Sequence, residues 1–166
     1  MTTALELLTK VKHAWAGIDA PIAEDLKDME WGWGREAAEA FRGVKPVDVD
    51  IDSIGFQAAD PLLQLPARAA AAYLGTYLIS LLYGLDIQQK VGFPTDISTR
   101  VHTLSVLIAP NFWTEIAGPH LSPDCLEVVS EVVGLLISER DVMTLEDADV
   151  AQLERLRRSI HRKLEK

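Results

Sequence analysis

Pro66 to Leu85, PARAAAAYLGTYLISLLYGL, is the stretch to which the other segments must adapt, because Ala69 to Leu85 contain no charged residue. As an α-helix, twenty residues reach about 30 Å, roughly the width of a small domain. Pro66 suits a first helical position, where its missing N–H costs nothing. The alanine run after it has the highest helix propensity of any residue. A helix apolar on nearly all sides is either buried in a core or spans a membrane. Seventeen uncharged residues lie at the lower limit of a span, and Thr76, Ser80, two glycines and three tyrosines dilute it. No basic cluster flanks the segment to set an orientation. The segment reads as a buried central helix of a soluble protein, with no membrane partner.

Arg68, Ala72, Thr76, Ser80 and Gly84 recur every fourth residue and form a stripe of small or polar side chains along that helix. A second helix can approach closely there, or a ligand can lie along it. The residues to supply polar groups to such a pocket are Tyr73, Thr76, Tyr77, Ser80, Tyr83 and His102.

The rest of the chain reads as helices packed around this one. Thr3 and Glu6 make a capping box for a first helix with Ala4, Leu8, Val11, Trp15 and Ile18 on one side. Asp19 to Glu30 is acidic and contains Pro21, which marks a loop. Trp31-Gly32-Trp33-Gly34 follows, then a short helix from Arg35 to Arg42 stopped by Gly43. Trp31 and Trp33 either fold back over a core edge or present a binding loop. Val47 to Ile54, VDVDIDSI, alternates with the strand period, but one strand forms no sheet alone. It reads as an extended connection or as a strand paired across a dimer.

Beyond the central helix, Asp86 to Phe93 reads as a linker. Thr95 or Asp96 caps a helix with Ile97, Val101, Leu104 and Ile108 inward, and Pro110 ends it. Phe112 to Ala117 gives one or two turns closed by Gly118-Pro119. Ser122-Pro123 opens a helix to about Ser138, with Leu126, Val129, Val133 and Leu136 inward and Glu127, Glu131, Gly134 and Ser138 outward. Thr144 caps a last helix. Its first turn holds Glu146, Asp147 and Asp149, and Arg155, Arg157, Arg158, Arg162, Lys163 and Lys166 crowd its other end. That order suits the helix dipole. It also suits docking on an acidic partner or a second subunit. No repeat, low-complexity tract or domain boundary is visible. Six or seven helices with short connections imply one all-α domain over residues 1–166.

Chemistry is less legible. The Asp48, Asp50, Asp52 spacing opens like a calcium loop, but Ser53 and Ala59 stand where glycine and the bidentate glutamate belong. None of His13, His102, His120 and His161 has strong metal-ligand spacing, so no metal and no cofactor are expected. Cys125 near a helix start, with His102 or His120, is a nucleophile arrangement. A small buried hydrophobe is the plainer role for a cysteine on a helix's apolar side. A lone cysteine forms no internal disulfide and points to a reducing compartment. The N-terminus lacks the layout of a signal peptide, so a cytoplasmic location is expected. A formal charge of −9 argues against nucleic acid and favours a basic protein partner.

EAAEAFRGVKP, the Asp-rich segment, LPARAAAAYLGTYLISLL and the later Ser-Pro helix start together resemble an uncharacterised bacterial family of small helical proteins. The matching residues are Phe41, Gly43, Leu65, Tyr73, Leu74, Tyr77, Leu78, Ser122 and Pro123, within Met29 to Ile137. The resemblance implies a helical fold and a bacterial, cytosolic origin, with no activity to carry over. The function expected is therefore a protein-binding accessory or regulatory module, in the manner of an immunity protein or antitoxin, acting on a partner or as a homodimer. Its interaction surface would comprise Trp31, Trp33, Asp48, Asp50 and Asp52. The alternative is a small enzyme or ligand carrier with its pocket beside the central helix.

Overall fold

Helix α1, Ala4–Trp15, starts as the sequence predicts. The Thr3 hydroxyl accepts from the Glu6 N–H, and the Thr3 N–H donates to Glu6 Oε2 at 2.7 Å. That second bond holds the Glu6 carboxyl below its usual range. The computed structural model describes residues 2–19, 41–50, 62, 65–92, 97–116 and 118–166, with the side chains of 97–102 and 116 left aside. Among these residues there is no strand. The chain is an all-α bundle whose described helices are α1, α2 (Ala67–Val91), α3 (Ile97–Ile108), α4 (Pro123–Ser138) and α5 (Asp147–Leu164), with short helical turns among them.

The central segment is the core helix expected of it. Its residues from Ala69 to Leu78 are all buried, as are Leu81, Leu82 and Leu85. By length and composition α2 could cross a membrane, but 67% of its most apolar window is buried inside the bundle. The helix runs six residues past the expected end. Asp86 to Lys90 looked like a linker because of their polarity, yet these residue types are mostly compatible with a helix. Lys90 Nζ meets Asp86 Oδ2 at 2.6 Å one turn back. The helix stops at Gly92, whose φ of 75° is left-handed and costs glycine nothing.

Helix α1 crosses α2 where the side chains are smallest. Trp15, fully buried, lies over Gly75, and its Nε1–H reaches Ala71 O at 3.4 Å. α4 then packs on the other side of α1, α5 packs on α4, and α3 touches both α2 and α5, which closes the ring around the core. Leu126, Val129, Val133 and Leu136 of α4 point inward, as their spacing predicts, and Leu153, Leu156 and Ile160 of α5 are buried against the core while Leu164 is exposed. Ser122 caps α4 by accepting from the Cys125 N–H at 3.2 Å.

Three further expectations change. Pro46–Asp48 form a 3₁₀ turn rather than a strand, because Pro46 presets the first φ and the Asp48 N–H closes on Lys45 O at 2.9 Å. Residues 51–54 of the alternating stretch lie outside the described residues. α3 buries Thr103, Val106 and Leu107, with Leu104 and Ile108 only partly covered, so its inward face is rotated from the expected one. α5 is capped by Glu146 with Asp149, not by Thr144, which has a φ of 53° in the preceding turn.

Candidate functional site

The polar residues of α2 are used to hold neighbouring backbone. The Tyr73 hydroxyl donates to Phe41 O at 2.6 Å and lies 3.2 Å from Val44 O, while its ring stacks on Phe41 at 4.2 Å. Burial pushes the Tyr73 phenol well above its ordinary range. Thr76, 1% exposed, donates to Pro46 O at 2.6 Å. Together they fasten the 41–48 segment to the core helix. Tyr77 is fully buried, Ser80 is half-buried and Tyr83 is 54% exposed. The side chain of His102 lies outside the described residues. Of the five described residues, Tyr73, Thr76 and Tyr77 are buried, whereas Ser80 and Tyr83 lie nearer the surface.

Of the expected interaction surface, Asp48 and Asp50 are exposed around the 46–48 turn. Trp31, Trp33 and Asp52 lie outside the described residues. Cys125 is buried, its thiol is directed at Ala14 O at 3.5 Å, and burial raises its pKa. Such a thiol is a packing group rather than a nucleophile. His120 is exposed.

Among the described residues a concave surface lies along the seam of α4 and α5. One groove of about 340 Å³ is lined by Glu127, Ser130, Glu131, Arg157, His161 and Leu164, with Glu165 at its end. A second, of about 200 Å³, continues from it past Gly134, Leu135 and Ser138 to Thr2. Glu131 and Arg157 belong to both, so the two make one furrow. The helix period builds its floor: Glu127, Ser130, Glu131, Gly134 and Ser138 lie on one side of α4. Arg157, His161 and Leu164 face them from α5 at the same spacing.

Three contacts set the electrostatics of the furrow. Lys10 of α1 reaches across and holds both Glu131 oxygens, at 2.6 and 2.9 Å. That bond raises the Lys10 pKa. Ser130 Oγ and His161 Nε2 are 2.8 Å apart. The Arg157 guanidinium lies against the α4 backbone at Gly134, where a Cβ would come within 3.2 Å of its Cζ. Glu131 is taken by Lys10, and among the described residues no carboxylate comes within ion-pair distance of Arg157.

The Ser130–His161 contact has two members of a nucleophile–base pair, but the surroundings assign it another task. Ser130 is 4% exposed in the middle of α4, where the local N–H groups are spent on helix bonds and none is left to receive an oxyanion. It ties α5 to α4. Arg155, Arg157, Arg158, Arg162 and Lys163 of α5, and Lys166 just past its end, are all exposed. Arg158 pairs with Glu154 at 3.7 Å, and Lys163 donates to Gly118 O.

The outward row Glu127, Glu131, Gly134, Ser138 is readable from the period of the sequence. That Lys10 of α1 and Arg157 and His161 of α5 lie against it is not, because the period of α4 does not tell which helices pack beside it. The fold and furrow thus define an all-α bundle with an open, charged seam between its last two helices. No protein-family model, no curated protein and no solved structure matches the chain.

Proposed function

We propose that the chain is a protein-binding module that docks a partner on the α4–α5 furrow and the basic face of α5. One observation carries this reading. Arg155 and Arg157 sit in the middle of α5, more than a turn before Leu164, and neither has an ion-pair partner among the described residues. A helix dipole attracts cations only within its last turn, so it gives these two no reason to be there. Unpaired arginines beside a shallow groove suit recognition of carboxylates on another chain. The charge layout supports it: residues 155–166 carry six cations and one carboxylate, in a chain whose overall charge is −9.

Native mass spectrometry of the protein isolated gently from its host tests the reading. A stoichiometric protein partner is expected, released as salt rises and lost from the R155E/R158E/R162E variant. A partner retained equally by that variant refutes docking on this face. An added mass of a few hundred daltons with no protein bound would favour a ligand carrier instead.

A further inference from the structure

We infer that the end of the furrow between Gly134 and Arg157 is a seat for a single carboxylate side chain from an acidic segment of the partner protein. The inference rests on the docking reading above and names what that face recognises. Two features make the seat. The Arg157 guanidinium lies against α4 because position 134 has no side chain, which leaves its planar donor fork at the edge of the furrow. Glu131, the carboxylate that lines the same space, is engaged at both oxygens by Lys10. Among the described residues Arg157 therefore keeps its donors for an external anion. Thr2 and Ser138 line the same end, but the Ser138 hydroxyl already donates to Leu135 O at 2.8 Å and offers the carboxylate no donor.

Size selects the ligand. The end of the furrow at Gly134 holds about 200 Å³, room for one side chain arriving on another chain. Charge selects its sign. Glu127 and Glu165 lie at the other groove, so the carboxylate-poor end of the furrow is the one at Gly134. The chain's net negative charge does not forbid an acidic segment, because at physiological salt charges beyond about 8 Å are largely screened. Arg155, Arg158 and Arg162 on the same helix supply the local attraction.

Fluorescein-labelled octa-glutamate, with octa-glutamine as control, titrated with the intact protein and read by anisotropy, tests the seat. Binding of octa-glutamate alone is expected, weakening with salt. Arg157→Gln should reduce affinity about tenfold or more, the range for a charge-assisted pair. Arg157→Lys should recover only part of it, because the fork is lost although the charge remains. Gly134→Ala is the milder variant. It favours the helix, so circular dichroism and Tm should hold or improve. Its Cβ shifts the flexible end of Arg157 by a few tenths of an ångström, so binding should fall less than in Arg157→Gln, with the charge unchanged. Affinity within twofold of the parent in Arg157→Gln overturns the seat. Equal binding of octa-glutamine, or no binding of octa-glutamate, does the same. If R155E/R158E/R162E abolishes peptide binding while Arg157→Gln leaves it intact, the seat is wrong and the docking face stands.

Discussion

Gly75→Ala asks whether the crossing of α1 over α2 is as tight as its geometry requires. A Cβ at position 75 would stand 2.7 Å from Trp15 Cδ2 and nearer still to Cγ and Cδ1. Ordinary carbon–carbon contact begins near about 3.5 Å, so the ring would have to withdraw by the better part of an ångström or more. It has nowhere to go. Trp15 is fully buried, and its indole N–H is directed at Ala71 O. Overpacking a filled core costs about 1–3 kcal/mol, and a rigid ring against backbone belongs at the upper end. Alanine returns about 1 kcal/mol of helix propensity. The net loss expected is about 2 kcal/mol. For a chain of this length that lowers Tm by about 4–8 °C. Urea titration followed by circular dichroism measures it directly. Trp15→Phe should relieve the clash, so the double variant should be more stable than the two single losses predict by about 1 kcal/mol or more. A Gly75→Ala protein as stable as the parent, or strict additivity with Trp15→Phe, refutes the close approach.

Two further outcomes follow from groups buried beside that crossing. Tyr73→Phe removes the hydroxyl that holds Phe41 O and Val44 O; Phe41 O keeps the Val44 N–H, so the expected cost is about 1 kcal/mol. Because the folded Tyr73 holds its proton more tightly than the unfolded chain does, its contribution is complete below the ordinary tyrosine pKa of about 10 and declines as pH rises above it. Urea midpoints should therefore fall above about pH 10 in the parent and fall less in Tyr73→Phe; parallel pH curves would remove Tyr73 as the cause. Cys125 should resist an aromatic disulfide reagent at pH 8 in the native protein and react fully in urea, since its thiol is buried with a raised pKa. Rapid labelling of the native protein would contradict its packing role.

How much of this could be read in advance depended on whether the signal was local. The capping box at Thr3, the Ser122-Pro123 start and the inward row Leu126, Val129, Val133, Leu136 each lie within a few turns of chain, and each stands in the structure as the spacing says. The end of α2 is not legible in this way, because Asp86 and Lys90 resemble a linker in sequence and pair one turn apart only in the helix. Thr76 and Tyr73 look like pocket residues on a helical wheel. Only the folded chain reveals that their hydroxyls are directed at Pro46 and Phe41 carbonyls.

By itself the sequence determined an all-α bundle around one apolar helix, since a segment without charge from Ala69 to Leu85 has to be enclosed and the flanking periods are helical. It also placed the cations at the end of the chain. Tertiary structure alone decided that Lys10 takes Glu131 and that Arg157 lies over Gly134, with no carboxylate of its own among the described residues. The reason is geometric: periodicity tells which way a side chain faces, whereas pairing depends on which helix is laid beside it, and that is settled only when the core closes.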